Sequence, residues 1–316
     1  GTYAGWHVYG NKGTSSNPIT FRAENTGQVT LNAKASNATQ NAIIELQGGS
    51  SSTTTEYWVV DGFVVNGVSK TLMTVDCRWV NHCTFQNLTV YQSISRGLYI
   101  SHGNYNYTYN CVSHDNGEHG SYCANDGTYN TFVKNTCYSN TAEGMQANGD
   151  LSMGGNGLAL YYVYDKNLIY NNPDKGLNFD GCSHSTFKNN LLYGNAGGGI
   201  ALFQIDAAES SSDDLIYNNT ILASRWCIKM PAAADVGGPG PDPVNNKVKN
   251  NILYTTNFGS IHIWSPTMPG FESDYNAVID RFSVTDEYGS ITLAQWQAYG
   301  YDAHSFISNP TALFVN

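Results

Sequence analysis

Arg96, His119, Glu143 and Lys175 each stand immediately before a glycine, in RG, HG, EG and KG. Two places after those glycines come Tyr99, Tyr122, Gln146 and Asn178, and further along lie His102, Asn148 and the carboxylates Asp126, Asp150, Asp180 and Asp206. Cation, imidazole, carboxylate, amine and phenol together are the groups that eliminate across a bond beside a carboxylate. A base takes the proton alpha to the carboxylate, a cation neutralises that carboxylate, and an acid protonates the leaving oxygen. Lys175 or His119 is the candidate base, Arg96 or a bound calcium ion the neutraliser, and Tyr122 the acid. A lysine serves as base only if its pKa is depressed, and neighbouring cations are one route to that. The four aspartates suit Ca²⁺, which takes several hard oxygen ligands. Tyr99, His102, Gln146, Asn148 and Asn178 are candidates for holding substrate.

A second chemistry fits the same residues. Inverting glycoside hydrolysis needs two carboxyl groups about 6.5–9.5 Å apart, and Glu143 with Asp180, or Asp150 with Asp180, would form the pair. A third reading has no chemistry: the Arg/Glu/Lys series is a charge-paired surface on a carbohydrate-binding or structural protein.

All three readings require that the residues share a face. Seven segments repeat one pattern, an apolar residue near an Asn, a polar turn, and a Gly opening a short alternating strand, as in TFQNLTVYQSISRGLYI and VYDKNLIYNNPDKGLNF. The first Asn of each is Asn87, Asn110, Asn135, Asn167, Asn190, Asn219 and Asn251, separated by 23, 25, 32, 23, 29 and 32 residues. A period near 23 with insertions is what the stacked coils of a parallel β-helix produce. Strand side chains alternate in and out. The residue before the Gly and the second residue after it therefore face outward together, within ~5 Å of their counterparts in the next coil. Aligned this way, Lys70 precedes Arg96 in the column. Asn repeated at one turn predicts a hydrogen-bonded ladder and tolerates left-handed backbone. The inserts DLSMGGNG, QIDAAESSSDD and PAAADVGGPGPDPVNN all follow the Gly-initiated strand, so they project from one side. Tyr99, Tyr122, Tyr161, Tyr162, Trp226 and Trp264 are available as platforms for sugar rings, although half of such rings in a β-helix simply cover stacked surface.

The expected architecture is all-β: a single right-handed parallel β-helix domain over residues 1–316, with N-terminal coils at 1–56, regular coils at 57–265 and a capping segment at 266–316. SITLAQWQAYG reads as a short helix with Ser290 as N-cap. Charged residues make up 13% of the chain against 32 Gly and 22 Tyr, a composition for strands and turns. A net charge of −10 argues against nucleic acid and means that an anionic polymer needs a local basic patch. No run of apolar residues is long enough to span a membrane. The seven cysteines lack metal-type spacing, are odd in number, and at Cys123 and Cys227 fall in strands as small buried residues. Asn37, Asn87, Asn106 and Asn218 begin N-x-T sequons, read as chance in an Asn/Thr-rich chain.

The opening GTYAGW…NPITFRAENTGQVTL resembles the first coils of the chondroitinase-B and alginate-lyase type polysaccharide lyases. HGSY…GMQANGD, GLNFDG and the SDYN…TLAQWQAYGYDAHS ending are similar to secreted bacterial β-helix proteins assigned as lyases. The resemblance covers nearly the whole chain. It implies an extracellular monomer, although no leader is present in the sequence, and an anionic polysaccharide substrate cleaved by β-elimination. In such lyases Lys and Arg on the exposed parallel sheet perform the elimination. Lys175 and Arg96 match by type and face but stand three coils apart, whereas His119 and Tyr122 are closer neighbours. The adjacent Asp pair of polygalacturonase-like hydrolases is missing from the strand ends, Asp213-Asp214 lying in a loop.

Overall fold

The computed structural model describes residues 1–314 and shows a parallel β-helix. Each coil supplies one strand to each of three long sheets: sheet I with 12 strands, sheet II with 10 and sheet III with 11. One coil runs Thr84–Gln86 in sheet II, Thr89–Tyr91 in sheet I and Arg96–Ser101 in sheet III. Each of these strands pairs in parallel with its equivalent in the next coil. Sheet I continues past the regular repeat, through Ala277–Val278 to Phe306–Ile307. All seven cysteines are buried free thiols.

The core follows from strand alternation. Phe132, Tyr164 and Phe187 point inward from successive strands of sheet II and stack at centroid distances of 4.8 and 5.5 Å. Burying such a side chain is worth roughly 1.5–3 kcal/mol. Repeated over every coil, this burial outweighs weak local propensities.

Asparagine does form ladders, but at more than one corner of the coil. At the corner between sheets II and I, Asn135, Asn167, Asn190, Asn219, Asn251 and Asn276 are buried. Asn135 accepts at Oδ1 from the backbone N–H of Cys111. Each of the others accepts from the backbone N–H of the Asn one coil earlier and from its side-chain amide as well, as Asn190 does from Asn167 at 2.9 and 3.0 Å. Asn116, Asn140, Asn172 and Asn195 repeat this at the corner between sheets I and III. Asn87 and Asn110 are displaced from the first column by one residue. They occupy the left-handed position (φ 54° and 51°) that Lys134, Lys166 and Asn189 occupy in later coils. The ladder position in their coils belongs to Leu88 and Cys111. The left-handed turn and the ladder are thus successive positions, because the turn is what aims the following side chain inward.

Outside, Tyr57, His82, Tyr105, Tyr129, Tyr161 and His184 form a continuous stack with centroids 4.7–5.2 Å apart. Its ring faces are spent on one another, so Tyr161 offers no sugar platform; Tyr162 and Trp226 are buried. The capping helix is Leu293–Ala298, and its N-cap is Thr292 in a capping box with Gln295, not Ser290. Ile291 is held in an antiparallel bridge to Phe282, which delays the helix start.

The three inserts follow sheet III strands and lean on each other along one rim. Leu151 N–H donates to the Asp206 carbonyl, Ala208 N–H to the Gly157 carbonyl, and Gly240 N–H to the Gln204 side chain.

Candidate active site

Sheet III places one outward column through Glu45, Asp76, Tyr99, Tyr122, Gln146, Asn178, Ala201, Lys229 and His262. The column before the glycines holds Arg96, His119, Glu143, Lys175 and Gly198, as the glycine register predicts: each marker glycine N–H donates to the carbonyl of the next residue in the column, Gly97 to His119, Gly120 to Glu143 and Gly144 to Lys175. Below Arg96, however, stands Met73 and not Lys70, because the turn at Gly67–Leu72 absorbs extra residues before the strand starts.

Arg96, His119, Glu143 and Lys175 are brought together into a ladder of alternating charge. Arg96 Nε lies 3.0 Å from Glu118, and the two rings of His119 and Tyr122 meet edge to face. His119 sits between two carboxylates, with Nε2 3.2 Å from Glu118 and Nδ1 2.8 Å from Glu143. Lys175 Nζ is 3.9 Å from Glu143 and 3.0 Å from Asp174. Burial opposes the charge on His119, yet the hydrogen bonds and charges of Glu118 and Glu143 prevail and raise its pKa. A raised pKa favours the imidazolium and so suits His119 better to giving up a proton than to the role of base that the sequence suggested. Burial pushes the Tyr122 phenol up to about 12, which keeps its proton in place. Arg96 is engaged with Glu118 and lies over the rings of Tyr99 and Tyr122 at 5.4 and 5.0 Å.

The proposed substrate contacts divide. Gln146 and Asn178 face outward and hydrogen-bond to each other at 2.7 Å, and Asn178 also reaches Glu143 at 3.1 Å. Asn148 lies in the next outward column, level with Asp180 and Ala124. Tyr99 is only 6% exposed, packed under Arg78 and Arg96. His102 lies past the strand end, stacked on Trp79 at 4.1 Å and bonded through Nδ1 to Asp126 at 2.7 Å.

The aspartates do not assemble a calcium site. Asp126 accepts from His102 and from Asn156 N–H, Asp150 caps Ser152 N–H, and Asp180 accepts the amides of Ile205 and Asp206. Asp206 is exposed and enters through its backbone only. Among the described residues no group of three or more His, Cys, Asp or Glu side chains is placed to hold a metal. These local bonds disperse the carboxylates, and the set does not fit the ion. Asp180, raised to about 6 by burial, has both oxygens on backbone amides, so neither hydrolase pair containing it is free to act.

Sheet III also carries groups that the repeat did not single out. Gly198 and Ala201 interrupt both outward columns. The gap is a cavity of about 250 Å³ lined by Lys175, Arg225, Trp226, Lys229, Asp174 and Glu287, with Gly197–Ala201 between them. Arg225 and Lys229 pair with Glu287, Lys229 at 3.6 Å, and the Trp226 indole N–H donates to the Glu287 carbonyl at 3.1 Å. Burial, helped by the charges of Lys175 and Arg225, lowers the Lys229 pKa against the opposing pull of Glu287. His262, the next residue up the column, makes no hydrogen bond at either ring nitrogen and is stacked on Trp264 at 3.8 Å. The signal for Lys229 was present in the sequence: Cys227 replaces the marker glycine, which puts Lys229 two places after it.

No protein-family model and no curated protein matches the sequence. Among solved structures, the A-module of the mannuronan C-5 epimerase AlgE4 of Azotobacter vinelandii is 15% identical, with a TM-score of 0.52, covering 98% of this chain and 90% of that one. An alginate lyase from Paenibacillus sp. str. FPU-7 is 14% identical (TM-score 0.53, 96% and 89% covered). PfbA, a surface adhesin of Streptococcus pneumoniae, is 10% identical (TM-score 0.51, 92% and 84% covered). These likenesses show the parallel β-helix fold that the three share with this chain. No helix of the described residues is long and apolar enough to cross a membrane.

Proposed function

We propose that this chain is an extracellular carbohydrate-active protein that binds an acidic polysaccharide across the outer face of sheet III and cleaves it by β-elimination. The observation that carries the reading is the cavity beside Lys175. Three of the chain's fifteen basic residues line it, and one of them, Lys229, is an amine whose proton is loosened by burial and by its neighbours. Arg225 and Lys175 are the cations for the uronate carboxylate, and Lys229 is the base for the proton beside it; the Lys229 ammonium so formed returns that proton to the leaving oxygen. The epimerase and lyase among the similar structures act on mannuronan and alginate by their names, which agrees with a polyuronate substrate.

The test is a panel of uronate polysaccharides followed simultaneously by the ultraviolet absorbance of an unsaturated uronate end and by reducing-end release. Absorbance with new ends supports elimination. New ends without absorbance would replace it by hydrolysis, and binding with neither product would make the chain a glycan binder.

A further inference from the structure

The turn that brings Glu287 to the cavity comes from the capping segment, more than fifty residues beyond Arg225 in sequence. Its backbone is fixed independently of the Glu287 side chain. Trp226 donates to the Glu287 carbonyl, Ser283 Oγ donates to the Asp286 carbonyl at 2.8 Å, and Gly289 N–H donates to the same carbonyl at 3.1 Å. The Glu287 carboxylate is therefore delivered to Arg225 and Lys229 without being needed to hold the turn.

The ion pairs it makes are partly open to solvent: the side chains of Arg225, Lys229 and Glu287 are 39%, 26% and 23% exposed. Pairs of that kind add little net stability, because solvent screens their attraction. A carboxylate arriving in the cavity can take over the two cations at little cost, with Lys175 a third cation in the same lining. With Asp174 and Glu287 counted against Lys175, Arg225 and Lys229, the lining still carries one net positive charge in a chain of net charge −10.

We infer that this cavity is a carboxylate-binding site in which Glu287 is a resident stand-in, displaced when the carboxylate of a uronic-acid residue enters. The inference rests on the acidic-glycan reading above and adds to it a site, its ligand group and an internal competitor. Glu287 then sets a threshold: ligands without an anionic group cannot displace it, so neutral sugars are excluded from the position next to Lys229.

The experiment compares glucuronate with glucose as probes, by calorimetric titration of wild type, Glu287→Gln and Arg225→Gln. Glu287→Gln keeps the shape and the backbone bonds of the turn while removing the competing charge. It is expected to bind glucuronate about tenfold tighter than wild type, while Arg225→Gln binds it at least tenfold more weakly and glucose binds none of the three measurably. In wild type, independently of any variant, the Trp226 indole N–H resonance is expected to shift with glucuronate and not with glucose. Equal affinity of wild type and Glu287→Gln, binding of glucose as strong as glucuronate, or an unmoved indole signal would each overturn the inference. Failure of the two readings is separable. Glucuronate binding with the expected variant pattern but no unsaturated product removes the lyase and leaves the carboxylate site. Unsaturated product with no effect of Glu287→Gln removes the stand-in and leaves the lyase.

Discussion

His119 Nδ1 lies 2.8 Å from Glu143 Oε2 while its other ring nitrogen lies 3.2 Å from Glu118 Oε1, so one imidazole bridges carboxylates of two successive coils. The folded pKa of His119 is raised. Its stabilising contribution is therefore complete below the unfolded value and is lost as pH rises through the folded one. An NMR titration of His119 should show a midpoint above about 6.5, the unfolded value. His119→Gln should lower the melting temperature at pH 6 and have a smaller effect at pH 9. A midpoint below the ordinary histidine value would show that the bridge is not an ion pair.

Lys229 bears on rate. Lys229→Ala should reduce turnover on a cleaved uronate polymer by about 10²–10⁴-fold, the range for loss of a general base, with the melting temperature little changed. Because its pKa is lowered, activity should rise with pH and level off below the ordinary lysine range. A rate limb unaltered by Lys229→Arg would assign the base elsewhere.

Asp214 stands at the corner between sheets III and II, where Asn106, Asn130 and Asn246 stand in other coils. It accepts from Ser185 N–H at 2.7 Å and donates its own N–H to Asn246, but its second oxygen is buried and unpartnered. Burial raises its pKa well above normal. A raised carboxyl costs stability progressively as pH climbs above the unfolded value of about 3.9. Asp214→Asn supplies the amide that the ladder uses elsewhere. It should stabilise the fold at pH 7 by about 1–3 kcal/mol and by little at pH 3. Calorimetry at the two pH values checks both halves.

His262 has the opposite sign. It is wholly buried between Trp226 and Trp264, and burial with the Lys229 charge lowers its pKa to about 4. Between the unfolded value and that one, the unfolded chain binds the additional proton, so stability is lost as pH drops through that window, by up to about 3 kcal/mol. His262→Phe should flatten the acid limb of the stability profile. An unchanged acid limb would locate the acid sensitivity in other groups.

The two kinds of asparagine should separate cleanly. Asn190→Ala orphans the buried Asn167 backbone N–H, at a cost of roughly 1–3 kcal/mol, and takes one bond each from the Tyr164 carbonyl and Asn219 Oδ1. Asn110→Gly removes one exposed bond to Asn87 and relieves a left-handed residue, so its effect should stay within about 1 kcal/mol. Denaturant unfolding of the two variants decides it.

The marker glycines made the fold and the Arg96–Lys175 column legible, because close packing at that corner leaves no room for a Cβ: one on Gly120 would come within 2.6 Å of the Gly144 carbonyl oxygen. The asparagine register was off by one in the first two coils, since Leu88 and Cys111 fill the ladder position there and nearby Asn87 and Asn110 mimic it. Lys229 was hidden by a coil whose glycine has become Cys227. Glu287 was hidden for a different reason: it reaches the site from a segment that follows no repeat, and only tertiary folding brings it there. The aspartates misled because their spacing along the strands carries no information on the backbone amides that claim them.

The row of mutually supporting inserts has an engineering consequence. Leu151 leans on Asp206, Ala208 on Gly157 and Gly240 on Gln204, so no member of the row has its final shape alone. Transplanting one of these loops onto another solenoid would deliver a sequence without its conformation. The transferable unit is the whole row, and chimeras that exchange it entire should retain their shape where single-loop grafts do not.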